Sequence, residues 1–216
     1  MYKILAYLKF LKVSKNKHGV HSPFVYKFVT ECIYDKNNHI EYNLIKDYRK
    51  ALLKNNESIT ITDFGSGSKV FKSNTRKISD IAANAGTPLK KAKLLFRIVK
   101  HFKIKSILEL GTSLGIATQA MSLNNSVENI ISVEGCHNTF RFALKSLSKY
   151  SNIQLINNPF KNYIPKIKQE SFDLIFFDGH HDKQATIEYF EALLPKANNN
   201  SIFIFDDIYW SQEMTQ

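Results

Sequence analysis

Two glutamates, a glycine-bearing turn and a group of aspartates and histidines are the side chains in this 216-residue sequence best suited to chemistry. Glu109-Leu-Gly111-Thr112-Ser113-Leu-Gly115 sets an acid two residues before a Gly-x-x-x-Gly turn. Glycine at 111 lets a chain bend sharply after a strand, and glycine at 115 lets the following N–H groups approach a ligand closely. Glu134 comes 23 residues after Gly111, about the spacing at which an acid accepts the hydroxyls of a ribose in adenosine-binding α/β sites. Asn157 and Asn158 end the next apolar run, where an amide would meet an adenine edge, although Asn pairs are also ordinary turn residues. Asp178-Gly-His-His181 and Asp206-Asp207 add carboxylates, and His181 an imidazole that can take a hydroxyl proton near neutral pH. The turn is neither Gly-x-Gly-x-x-Gly nor Gly-Lys-Ser/Thr, so the dinucleotide and P-loop readings fall away.

These residues act together only if the chain brings them to one place. From residue 104 onward, short apolar runs at 106–110, 129–133, 153–156, 172–177 and 201–205 read as strands. Helical patterns near 115–123, 137–149, 161–168 and 184–196 separate them. Near-continuous apolar strands alternating with helices predict a doubly wound α/β fold around a mainly parallel sheet. Ligands of such sheets bind at the carboxyl ends of the strands, and every residue singled out above ends a strand or follows one.

Upstream the pattern is mostly helical. Residues 2–12 have Ile4, Leu5, Leu8 and Leu11 on one helical face. Ser22-Pro23 reads as a cap and first helical residue, and another helix is expected over 41–54. Residues 59–64 alternate as a strand entering the Gly65-Ser-Gly-Ser68 loop, and Thr87-Pro88 repeats the cap-and-proline signal before a helix through Phe102.

With 44% hydrophobic residues the chain can bury a sizeable core, which excludes disorder as its default state. Lysines interrupt every apolar run well short of the roughly 18–20 residues of a membrane-spanning helix. Cys32 and Cys136 are far apart with no metal-like spacing, which fits a reducing cytoplasm. Thirty basic against nineteen acidic residues give a formal charge of +11, which would attract nucleic acid or an acidic small molecule. The basic residues form no block of five or more, and a solvated basic surface is the plainer reading.

Over about residues 89–210 the sequence resembles the class I S-adenosylmethionine-dependent methyltransferases. Ile107-Leu-Glu-Leu-Gly-Thr-Ser-Leu-Gly115, Ile131-Ser-Val-Glu134 and Phe172-Asp-Leu-Ile-Phe-Phe-Asp-Gly-His-His181 carry the likeness. The resemblance implies a Rossmann-like methyltransferase domain over 89–216, with 1–88 as a helical extension covering the acceptor. It implies that Glu109, Gly111, Thr112, Ser113 and Gly115 hold the methionine part of S-adenosylmethionine, Glu134 its ribose and Asn158 its adenine, with Asp178 beside them. The Asp178-Gly-His-His181 and Asp206-Asp207 segments look like the catechol-O-methyltransferase-like branch, whose metal-dependent members would place Mg²⁺ on Asp178, Asp206 and Asp207.

That branch has a catalytic lysine where this chain has His181, which could act as general base, orient an aspartate or ligate a metal. Metal-independent relatives also keep an aspartate after the fifth strand, so metal use stays open here. The family's sheet continues into an antiparallel hairpin, whereas this sequence ends at Gln216, just past its fifth strand. The expected consequence is an exposed sheet edge, covered by N-terminal elements or by a second copy in a homodimer, unless 59–64 completes the sheet. The leading expectation is O-methylation of a small-molecule hydroxyl. The alternatives are methylation of RNA or protein, and a non-catalytic cofactor-binding scaffold.

Overall fold

The computed structural model describes residues 2–14, 19, 21–64, 67 and 72–215. Gly65, Ser66 and Ser68 of the loop named above lie outside the described residues, as does the side chain of Ile4. The first part of the chain runs through α1 (Tyr2–Val13), α2 (Pro23–Phe28), α3 (Glu41–Leu53), β1 (Ser58–Thr60), β2 (Thr75–Lys77), α4 (Ile78–Asn84) and α5 (Leu89–His101). The second runs through β3 (Ser106–Leu110), α6 (Ile116–Ser122), β4 (Asn129–Glu134), α7 (His137–Leu147), β5 (Ile153–Asn157), α8 (Phe160–Tyr163), β6 (Phe172–Phe177), α9 (Lys183–Leu193) and β7 (Ala197–Phe205).

Five strands form one parallel sheet in the order β5-β4-β3-β6-β7. The chain winds from β3 outward to β5, then crosses to the other side of β3 for β6 and β7. The strand order therefore reverses between β3 and β6, the switch point where a crevice opens in such sheets. Side chains of β3 and β6 are buried on both faces, Ile107, Leu108, Leu110, Phe172, Leu174, Ile175 and Phe176 among them, which is why these runs carry so little polar alternation. Helices cover the two faces. Leu95, Val99 and Met121 pack against Ile107 and Ile130 on one side, and Ile164, Tyr189 and Leu193 against Leu108 and Ile175 on the other.

The helix termini follow local chemistry. Ser22 caps α2, its Oγ accepting from Val25 N at 3.4 Å, and Pro23 is the first helical residue. The start of α5 differs from expectation. Pro88 itself is the cap residue, extended at φ −62° and ψ 147°, and its carbonyl accepts from Ala92 N, while Thr87 makes no cap. The helices expected over 161–168 and 184–196 stop early, at Tyr163 and Leu193, and continue as 3-10 turns containing Pro165 and Pro195. A proline cannot donate the next helical hydrogen bond.

Residues 59–64 do not join the large sheet. Only Ser58–Thr60 are strand, paired antiparallel with Thr75–Lys77 in a separate two-stranded ribbon. That ribbon is held against the end of β4. Cys136 Sγ accepts from Thr62 N at 3.3 Å, and Asn138 Nδ2 donates to Thr60 O at 2.9 Å. Helices α3 and α4 share a buried core with α5 and α6 through Tyr42, Ile45, Leu52, Ile81, Phe96 and Ile116. Arg97 ties α5 to the turn after α2, donating to the carbonyls of Cys32 and Ile33 and to Tyr42 Oη. The apolar face expected on α1 meets little. Leu5, Leu8 and Leu11 are exposed, while Tyr7 and Phe10 border a hollow with Phe205–Tyr209 at the end of β7. No helix of the described residues is long and apolar enough to cross a membrane.

Candidate functional site

The turn after β3 is built around two left-handed glycines. Gly111 has φ 111°, and a β-carbon there would overlap the Asp178 backbone. Gly115 has φ 77° and precedes α6, with Leu147 and the Tyr48 hydroxyl packed against it. Tyr48 Oη also donates to Leu114 O at 2.8 Å, so α3 braces the turn from outside. Between the glycines, Ser113 takes φ 49°, and its N–H donates to Glu134 Oε2 at 2.9 Å. Glu134 Oε1 accepts from Cys136 N at 2.8 Å. Burial raises the Glu134 carboxyl above its ordinary value, against the pull of these N–H groups. Each of its oxygens keeps lone-pair capacity for a further donor.

A cavity of about 420 Å³ opens at these strand ends, within the size range of small-molecule sites. Gly111, Ser113, Glu134 and Asp178 form one wall. Phe64 and Arg76, from the β1–β2 segment, form part of another. Gly135 has no side chain to offer, and the Phe64 ring fills that space, 2.9 Å from where a β-carbon would be.

The other residues chosen from sequence divide between cavity, floor and periphery. Glu109 is fully buried beneath the turn and does not line the cavity. Its Oε2 accepts from Thr118 Oγ1 and Ser132 Oγ, both at 2.5 Å, while Oε1 is buried without a partner. Burial pushes its carboxyl up to about 7, with the nearby Glu134 charge adding and the two hydroxyls opposing. Thr112 is also buried, bonded to Ser132 Oγ at 2.6 Å, and acts through the floor of the turn. The Asn158 side chain is outside the cavity lining, although Asn158 N donates to Glu134 O. Asn157 braces the same loop, its Nδ2 donating to Glu134 O at 2.8 Å.

At the ends of β6 and β7 lies a charged cluster. Lys91, in the first turn of α5, places Nζ 2.7 and 2.5 Å from the two carboxylate oxygens of Asp206. Burial drives the Asp178 carboxyl well above its ordinary value, with the Asp206 charge and a hydrogen bond between the two carboxyls reinforcing the shift. Burial also opposes ionisation of Asp206, but the hydrogen bonds from Asp178 and Lys91 outweigh it and hold that carboxyl low. His181 packs near Trp210, with ring centroids 5.6 Å apart, and its Nε2 is 3.8 Å from Asp207 Oδ2. Burial lowers the His181 value below the ordinary 6.5, against the Asp207 and Asp206 charges. His180 rather than His181 lines the cavity, beside Tyr189. His180, His181 and Asp207 have φ of 71°, 44° and 51°, a concentration of left-handed backbone of the kind that gathers at functional sites.

The Mg²⁺ set expected from the resemblance does not assemble. A hard divalent cation needs several converging oxygens, but Asp206 is taken by an ammonium, burial disfavours the ionised form of Asp178 and Asp207 is directed toward His181. Among the described residues no group of three or more His, Cys, Asp or Glu side chains is placed to hold a metal ion. An adenosyl cofactor fits better. The cavity has a fixed carboxylate acceptor at Glu134, a close-approach turn at Gly111 and an unpartnered buried oxygen at Glu109 beneath it. Sequence reasoning missed Lys91 and Arg76, and it placed Phe64 only within a loop expected to cover the acceptor.

Comparison with known proteins bears on the fold. Residues 108–208 match the family model of a methyltransferase domain. No curated protein matches the chain. Among solved structures, the SAH-bound methyltransferase PaMTH1 of Podospora anserina is similar with a TM-score of 0.61 and 16% identity, covering 91% of this chain and 74% of that one. An O-methyltransferase of Bacillus cereus in complex with SAH gives 0.52 and 17%, covering 86% and 73%. TomG, an O-methyltransferase of Streptomyces achromogenes involved in tomaymycin synthesis and solved with SAM, gives 0.52 and 18%, covering 57% of this chain. The match spans 58% of TomG's own length. At these identities the likeness is one of fold.

Proposed function

We propose that the chain, whose residues 108–208 match the model of a methyltransferase domain, transfers a methyl group from S-adenosylmethionine to a hydroxyl of a small molecule. The observation that carries this reading is Glu134, clamped by the N–H groups of Ser113 and Cys136 in the cavity wall with both oxygens able to accept again. That is the acceptor pair a ribose diol requires.

The cofactor, when bound, supplies an electrophilic methyl on a sulfonium. The chain's part is to bind, align and deprotonate. Gly111 and Ser113 let the backbone approach the methionine portion, and Glu109, buried below and bonded to Thr118 and Ser132, supports the turn from beneath. Phe64, standing in for the side chain that Gly135 lacks, gives the purine an aromatic face. Burial disfavours a negative charge on Asp178 beside the acceptor. His181 is the proposed base, because burial keeps it neutral at pH 7 and it sits among the charges of Asp206 and Asp207. His180, which lines the cavity, is the second candidate. Residues 1–88 would form the acceptor's cover. Cys32 and Cys136 are both buried free thiols, which suits a cytoplasmic protein.

Titration calorimetry with S-adenosylhomocysteine tests the reading. Wild type should bind, and Glu134→Ala should weaken binding at least tenfold, whereas a folded wild type that does not bind overturns it.

A further inference from the structure

We infer that the Lys91 ammonium occupies the place of a divalent cation at the Asp178–Asp206 pair, so that this site meets its acceptor with a tethered single charge. The inference rests on the methyltransferase reading above and concerns how the same site handles its acceptor.

Asp178 follows β6, and Asp206 and Asp207 follow β7. An ion-binding site would turn several free carboxylate oxygens to one point. Here Asp206 is already taken within the chain. Lys91 Nζ lies within hydrogen-bond reach of both Asp206 oxygens. A third donor, Asp207 N, reaches Asp206 Oδ1 at 2.7 Å. A divalent cation arriving at Asp206 would have to expel an ammonium of like charge from a carboxylate whose side chain is only 15% exposed.

Lys91 is not a surface lysine that has folded over by chance. It stands on the first turn of α5, whose Ala92, Leu95, Phe96 and Val99 are buried, so its anchor is fixed relative to the sheet. Four carbons of stem lead from there to the strand ends, and the side chain is about one-third exposed.

The replacement changes what the acceptor must look like. A bound metal with open positions can grip two neighbouring oxygens at once. An ammonium has three N–H donors, and Asp206 takes two, leaving one for an acceptor oxygen. The acceptor class this favours is a single hydroxyl, held at one point, rather than a vicinal diol held at two.

Manganese paramagnetic resonance on the full chain tests the substitution, with S-adenosylhomocysteine titrated into the same samples. Wild type and Lys91→Arg should show no Mn²⁺ site that Asp206→Asn removes. Lys91→Ala should gain one, binding Mn²⁺ at least tenfold tighter than wild type, and the added Asp206→Asn change should abolish it. A wild-type Mn²⁺ site lost in Asp206→Asn overturns the inference, and so does a folded Lys91→Ala that gains none. If circular dichroism shows Lys91→Ala unfolded, the comparison of wild type with Asp206→Asn decides. Failure of S-adenosylhomocysteine to bind wild type would sink the functional reading instead, while the Mn²⁺ result would still report on Lys91.

Discussion

A β-carbon on Gly111 would stand 2.2 Å from the carbonyl oxygen of Asp178. The two residues meet where β3 and β6 end side by side, Asp178 N donating to Leu110 O and Gly111 N to Val133 O, each at 2.9 Å. Gly111→Ala therefore faces a backbone clash and a left-handed φ of 111° together. It should cost roughly 3 kcal/mol or more in denaturant unfolding and abolish S-adenosylhomocysteine binding. Gly115→Ala meets chiefly the movable end of the Leu147 side chain, at 2.7 Å, and should cost only about 1–2 kcal/mol. Equal effects of the two substitutions would contradict the packing described.

Glu109 carries a stability cost that depends on pH. Its folded-state value near 7 lies above the ordinary carboxyl value of 4.5. Between those values the unfolded chain has released a proton that the folded chain still holds. Stability from this group is thus fully present below pH 4.5 and declines as pH rises through 7. Glu109→Gln keeps an oxygen for Thr118 and Ser132 but cannot ionise. Relative to wild type it should gain stability between pH 5 and pH 8, by up to about 3 kcal/mol, in thermal or denaturant melts. The same variant should bind S-adenosylhomocysteine more weakly. A wild-type-minus-variant difference that is flat across this range would mean that Glu109 is not held protonated.

Phe64 is half exposed and lies on the cavity side of Gly135. If it stacks on the purine, Phe64→Ala should weaken S-adenosylhomocysteine binding roughly 5- to 100-fold, the range for losing one base–aromatic contact. Phe64→Tyr should bind like wild type, and homocysteine alone should not discriminate between the variants. Tighter binding by Phe64→Ala would instead mark Phe64 as a plug of the cavity.

The strands that frame the site are plain in the sequence because burial on both faces leaves an unbroken signature. Phe172–Phe177 and Ser106–Leu110 are found at their expected bounds. Once those strands are parallel, Glu134, Asp178 and Asp206 must end up at one edge of the sheet. Direction is harder to read than position. Glu109 shares its strand face with Ile107, and only the tertiary approach of Thr118 on α6 shows that this face is closed. The partner of β1 was not legible, since Thr75-Arg-Lys77 has neither apolar alternation nor length. Lys91 is one lysine among many, and nothing local marks the one whose ammonium reaches Asp206. The apolar stripe of α1 shows the complementary difficulty: a pattern states what a face would bury, and Leu5, Leu8 and Leu11 stay about half exposed or more.

The two histidines after β6 offer the sharpest test of proton transfer. His181 has its charged form disfavoured by burial, so its value lies below the ordinary 6.5 even with Asp207 Oδ2 at 3.8 Å from its Nε2. A base must be unprotonated to act. With His181 in that role, kcat/KM should be level through pH 7 and fall as pH drops through a value below 6.5. His181→Asn should lower kcat by roughly 10²- to 10⁴-fold while S-adenosylhomocysteine binds within a factor of about three, and what activity remains should lose the acidic limb. His180→Asn changes a residue of the cavity wall beside Tyr189, and its effect should fall mainly on KM with the acidic limb intact. If the limb disappears in His180→Asn and persists in His181→Asn, the base is His180, and the left-handed backbone at both positions serves to turn that imidazole, not its neighbour, toward the acceptor.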